Sequence, residues 1–137
     1  MIVQTQTTSF KAEVYQAVHN LLTNTIKIAL YTADANLDAD TTVYTTSSEV
    51  VASGYTAGGQ IMTGVTLNTS GYTVYVNFAN ISWSTSVTAR CALIYNASQG
   101  NKSIAVLDFG ADKTSTSTFT ITMPANTATS ALIRSSN

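Results

Sequence analysis

Asp34, Asn36, Asp38 and Asp40 place oxygen-bearing side chains at alternate positions, a pattern that suits calcium. Counted from Asp34, an EF-hand loop needs Gly at its sixth position and Glu at its twelfth, where this chain has Ala39 and Thr45. The segment therefore reads first as a polar loop with Asp and Asn capping turns, and calcium is kept as the one metal candidate. The sequence calls for no cofactor. Gly54-Tyr55-Thr56-Ala57-Gly58-Gly59 has the glycines of a phosphate-cradling loop but not its context, because the next segment reads as strand and no lysine follows. It reads as a bulged inter-strand loop, and if the chain assembles with other subunits Gly58 and Gly59 are its interface candidates.

Nucleophilic and acid–base chemistry find little material. His19 is the only histidine, and no nucleophile-elbow sequence accompanies it. Near a helix end, its imidazole is expected to face solvent or cap carbonyls. Cys91, midway along a strand, reads as a small buried apolar group. Asp108 is expected to pair with Arg90, Lys102 or Lys113 across strands, which makes Asp108 and Asp112 a poor pair for glycoside hydrolysis. The chain reads as a non-enzyme. Its seven tyrosines and Trp83 are the stronger clue. Tyr31, Tyr44, Tyr55 and Tyr75 on strand faces supply contact area for an interface or a sugar platform; core filling is the competing reading.

The elements that must carry these residues follow from periodicity. Phe10, Val14, Ala17, Val18, Leu21 and Leu22 share one helical face, which predicts a helix over about 9–23 capped by Thr8 or Ser9. Beyond it the period becomes two. Strands are predicted at Ile26–Tyr31, Tyr72–Phe78, Val87–Tyr95, Ile104–Phe109, Thr118–Met123 and Ala131–Arg134, with weaker ones at Ser48–Ala52 and Gln60–Leu67. Turn signals at Gly54, Gly58-Gly59, Ser70-Gly71, Asn96–Asn101 and Gly110–Asp112 separate them. Short strands at such intervals predict a mainly β fold: an antiparallel β-sandwich, possibly of the jelly-roll type, with one N-terminal α-helix.

Composition sets the outer limits. The 137 residues fit one domain, expected over 9–137, behind a polar N-terminal arm at 1–8 that orders on a partner. Charged residues make up 9% of the chain and net charge is −1, with no basic stripe, so neither direct nucleic acid binding nor an anionic membrane partner is expected. One cysteine excludes an internal disulfide framework, and no apolar run approaches the roughly 20 residues of a membrane span. The first residues lack a secretory signal, so synthesis in a cytoplasm without export by that route is expected. Asn-x-Ser/Thr sequons at Asn68, Asn80, Asn96 and Asn101 carry no weight in that setting.

Residues distributed along nearly the whole chain then form a resemblance. Phe10-Lys11 through Val18-His19, Ile26–Thr32, Gly54–Gly59, Thr88-Ala89-Arg90, Ala92–Asn96 and Ala105–Gly110 occur in the order seen in a family of small virion-associated proteins of tailed bacteriophages, which this chain resembles. The resemblance implies a structural protein of the virion, most naturally a capsid decoration (cement) protein on the capsid surface. Its implied partners are the major capsid protein and further copies of itself. The family usually has Gly where this chain has Cys91, so the resemblance implies no family-wide reactive thiol there. The alternative is a tail or fibre component with a receptor- or carbohydrate-binding role.

Overall fold

A computed structural model describes residues 1–136; the expected domain end at Asn137 lies outside the described residues. The chain is mainly β, with antiparallel sheets and one N-terminal helix. Its elements are β1 (Thr5–Gln6), α1 (Thr8–Tyr15), β2 (Ile26–Tyr31), β3 (Gln60–Ile61), β4 (Thr66–Ser70), β5 (Thr73–Asn77), β6 (Ile81–Trp83), β7 (Thr88–Asn96), β8 (Lys102–Thr114), β9 (Phe119–Ile121) and β10 (Ile133–Ser135). A five-stranded sheet of order β1-β8-β7-β2-β3 forms one layer. The three-stranded sheet β10-β5-β4 and the two-stranded sheet β6-β9 supply the opposing side. A jelly roll has two four-stranded sheets, and this split second layer does not reproduce them.

Strand alternation explains where the core sits. Ile26, Ile28 and Leu30 on β2, Ala92 and Ile94 on β7 and Ile104 on β8 meet Val76, Ile81, Trp83, Phe119, Ile121 and Ile133 from the opposing sheets. The other face of β2 and β7 is apolar too. There Ala29, Tyr31, Cys91, Leu93, Tyr95 and Val106 pack against Ala35 and Leu37 of the long 32–59 connection. The large sheet is thus buried on both faces, which is why its central strands lack a polar row.

Several expected boundaries move. The helix stops at Tyr15 instead of continuing to 23, and its cap is Thr7, whose Oγ1 accepts the Phe10 N–H at 3.3 Å. Ala17 adopts φ +59, and side chains of Asn20 and Asn24 take up the N–H groups of Leu22 and Asn20, offering the backbone partners that compete with helical bonds. The 1–8 segment is docked on its own domain instead of free. Ile2 bridges to Leu37, Thr5 and Gln6 pair with Val106 and Ala105, and Thr7 is fully buried with its N–H on the Ile104 carbonyl at 2.9 Å. Strand addition of this kind uses backbone groups, so a polar segment can dock without an apolar stripe.

Ser48–Ala52 forms no strand; it touches the sheet through a Tyr31–Glu49 bridge and the Val50 N–H on Leu30. The run Gln60–Leu67 is broken by Gly64, at φ +66, where the backbone passes Ala79 too closely for any Cβ. β8 runs longer than expected, and its register against β7 shifts at Arg90: Ala89 pairs with Lys113 while Cys91 pairs with Asp108. Among the described residues no helix is long and apolar enough to cross a membrane.

Candidate functional site

Two of the four expected interface tyrosines are inside. Tyr31 is 0% and Tyr55 8% exposed. Both belong to a polar knot around Glu49, itself 7% exposed. The Glu49 carboxylate accepts the Tyr44 hydroxyl at 2.5 Å on one oxygen, and the Tyr55 hydroxyl at 2.5 Å and the Gly58 N–H at 2.8 Å on the other. The Tyr55 oxygen also accepts the Leu30 N–H at 2.9 Å, Tyr31 donates to the Thr45 carbonyl at 2.6 Å, and Tyr95 donates to the Gly58 carbonyl at 2.6 Å. Tyr44, half-buried, stacks on Tyr95 with ring centroids 4.7 Å apart.

Burial, then the nearby Glu49 charge, pushes the Tyr95 phenol up to about 12. Burial first, and Glu49 with it, drives Tyr31, Tyr44 and Tyr55 further upward still. All four therefore stay protonated as donors near neutral pH.

This knot locks the 44–59 segment onto the sheet and corrects the reading of Tyr31, Tyr55, Gly58 and Gly59 as contact residues. A Cβ on Gly58 would sit 3.3 Å from both Lys27 Nζ and Tyr95 Oη, and one on Gly59 would overlap the Ile28 carbonyl. These glycines permit close backbone approach within the chain. Tyr75 remains half-buried at the surface of β5. The most open tyrosines are Tyr15 and Tyr72, each 93% exposed, at the last residue of α1 and in the β4–β5 turn. The Ser70-Gly71 turn signal pointed to Tyr72, whereas Tyr15 lay inside the helix expected to run to 23 and became a helix end only in the structure.

The titratable groups hold structure in the same way. The His19 side chain is fully buried, not solvent-facing: Nε2 meets Glu13 Oε1 at 2.9 Å, Nδ1 meets the Asn96 amide nitrogen at 3.0 Å, and the ring lies 5.0 Å from Phe10. Since an amide nitrogen only donates, Nδ1 accepts and Nε2 carries the proton toward Glu13. Both ring nitrogens are thus occupied, leaving none to activate a nucleophile. Cys91 is 0% exposed, and burial, followed by Asp108, pushes its thiol up to about 11.

Arg90 Nε pairs with Asp108 Oδ1 at 3.2 Å, the first of the three partners expected, and the same oxygen accepts the Gly110 N–H at 2.9 Å. Of Asp34, Asn36, Asp38 and Asp40, two side chains cap local backbone: Asp38 Oδ1 accepts the Asp40 N–H at 2.9 Å, and Asn36 Oδ1 accepts from the N-terminal ammonium at 3.3 Å. Among the described residues no three His, Cys, Asp or Glu side chains are grouped as a metal ion needs.

What the molecule does present is an uncharged layer. Val50 through Ala89 contain no Asp, Glu, Lys or Arg, and neither do Ser115 through Ile133. Those segments contain all of β4, β5, β6 and β9, so the strands of the opposing side carry charge only at Arg134 of β10. Its outward side is hydroxylated, as in the Ser82–Thr120 pair at 2.8 Å across β6 and β9. Between α1 and the three-stranded sheet lies an open groove of about 860 Å³. Phe10 and Ile133 line its inner part, while Val14, Leu22, Leu67 and Val74 are each 40–51% exposed. A charge-free run can be counted in sequence, but only the topology shows that two such runs share one side. Comparison with protein-family models, curated proteins and solved structures found no match.

Proposed function

We propose that this chain is a non-enzymatic virion structural protein that binds the outer surface of a tailed-phage capsid and cements adjacent capsid subunits. The observation that carries this reading is the uncharged, hydroxylated layer. Interface cores are depleted in charge, and neutral hydroxyls are cheaper than ions to remove from water and can pair with partner backbone. The exposed apolar rim at Val14, Leu22, Leu67 and Val74 adds area of the same kind. The resemblance to small virion proteins supplies the choice of partner, the major capsid protein.

The mechanism is interface burial. A contact of about 1,600 Å² of ordinary quality, repeated by capsid symmetry, holds subunits together through avidity. The test is stoichiometry and position in purified particles. Copies that track the number of capsid sites, with density over the shell, support cementing. A few copies confined to the tail would refute it and transfer the chain to the tail or fibre class, with the exposed Tyr72 the first residue to probe against glycans.

A further inference from the structure

The three-stranded sheet ends on a strand with an open side. β4 pairs with β5 without a register break, from Thr66 opposite Asn77 to Ser70 opposite Thr73, and the order β10-β5-β4 leaves its other side free. The turn is Gly71-Tyr72, with Gly71 at φ +58 in the first turn position, as a type II′ turn requires. A two-residue turn makes Ser70–Thr73 and Asn68–Tyr75 hydrogen-bonded pairs, so the N–H and C=O groups of Leu67 and Thr69 point to the open side. Natural edges are blunted by Lys, Pro, a bulge or an inward charge. The β4 sequence Thr-Leu-Asn-Thr-Ser has none of these.

We infer that β4 pairs antiparallel with β4 of a second copy of this chain across a two-fold axis at Asn68, joining the two three-stranded sheets into one. The register is self-complementary. Centring on Asn68 sets Leu67 against Thr69 of the second copy, so their outward backbone groups satisfy one another reciprocally. Asn68 meets its own copy, and its amide both donates and accepts.

Charge favours the same occupant. A residue on a two-fold axis faces itself, so any charge there repels its copy, and nothing between Val50 and Ala89 is charged. The apolar row agrees as well. Thr69 shares a face with Val74, and Leu67 with Val76, on the side that lines the groove. Pairing brings Leu67 of the second copy, 50% exposed when alone, beside Thr69 in the row that continues to Val74. This contact belongs to the free protein and does not depend on the capsid reading.

Sedimentation of the full chain over a concentration series tests it, with Asn68→Lys, Asn68→Asp and Thr69→Pro as variants and thermal unfolding as the check on folding. The wild type is expected to form a dimer. Asn68→Lys places like charges at the axis and should weaken dimerisation about fivefold or more, an effect relieved in about 1 M salt. Mixing the Lys and Asp variants should restore a heterodimer at least as tight as the wild-type dimer. Thr69→Pro removes an outward N–H without touching the ladder to β5 and should weaken dimerisation about tenfold or more. A chain that stays monomeric at about 1 mM, a trimer, or a dimer equally tight in all the variants would overturn the inference.

Discussion

Replacing Glu49 by Gln tests whether the tyrosine knot holds the 44–59 segment in place. The carboxylate accepts from Tyr44, Tyr55 and the Gly58 N–H. A bond to a charged acceptor is worth about 1 kcal/mol more than one to a neutral acceptor, so changing all of these bonds costs about 3 kcal/mol. The amide is easier to strip of water than the carboxylate, which returns about 1 kcal/mol. In the best arrangement the Gln oxygen serves Tyr55 and Gly58 while its NH₂ turns to the Tyr44 hydroxyl, which can accept. The net expectation is a loss of about 2 kcal/mol, read as a lower urea midpoint at unchanged m-value. Tyr55→Phe should cost more, about 3 kcal/mol, because it also orphans the buried Leu30 N–H. Tyr44→Phe should cost about 1 kcal/mol. A Glu49→Gln protein within about 0.5 kcal/mol of wild type would refute the reasoning, since that is the size of an ordinary surface change.

Gly59→Ala should cost about 4 kcal/mol or abolish soluble expression, because its Cβ overlaps the Ile28 carbonyl; Gly71→Ala, with open space around it and φ +58, should cost about 1 kcal/mol. Equal midpoints for the two would contradict the close approach at Gly59. The alkaline limb of stability follows from Cys91 and Tyr95, whose protonated forms the fold favours. The unfolded chain releases these protons first, near pH 9.0 and 10.0, and the folded chain only near 11 and 12, so stability should fall as pH rises from about 9 to 12. Each group contributes at most about 1.4 kcal/mol per pH unit within its window, and denaturation midpoints at spaced pH values that stay level would refute it. In native buffer Cys91 should react with a thiol reagent only at the rate of unfolding; a rapid stoichiometric reaction would contradict its burial. Deleting residues 1–7 removes β1 and the Thr7 cap and should lower stability by about 2 kcal/mol or more; an unchanged thermal midpoint would restore the free-arm reading.

The central strands were legible in sequence because their signal is side-chain alternation. Ile26–Tyr31 appears at its expected bounds, and Val87–Tyr95 is displaced by one residue to Thr88–Asn96. The fate of the tyrosines was partly legible too. Tyr31 and Tyr95 lie in rows with Ala29, Cys91 and Leu93, and a strand apolar on both faces must be covered on both. What supplies the cover was not legible, because a connection such as 32–59 has no periodicity to reveal the face over which it lies. β6 is short and set among Asn and Ser, and it pairs with Phe119–Ile121, far along the chain. The docking of Met1–Thr7 uses main-chain groups that every sequence has. The uncharged layer needed both kinds of information: the runs from counting, their shared side from the topology.

That layer has a consequence for how the molecule responds to its medium. Under the proposed function, contacts made through it contain almost no ions to screen, so raising sodium chloride would leave them largely in place where a charged interface would loosen. They answer instead to agents that act on hydration. Sulfate, excluded from protein surfaces, tightens such contacts, and urea, which solvates both apolar and peptide groups, releases them. An assembly built this way keeps its parts through swings in salinity and sheds them only when water itself becomes a better partner.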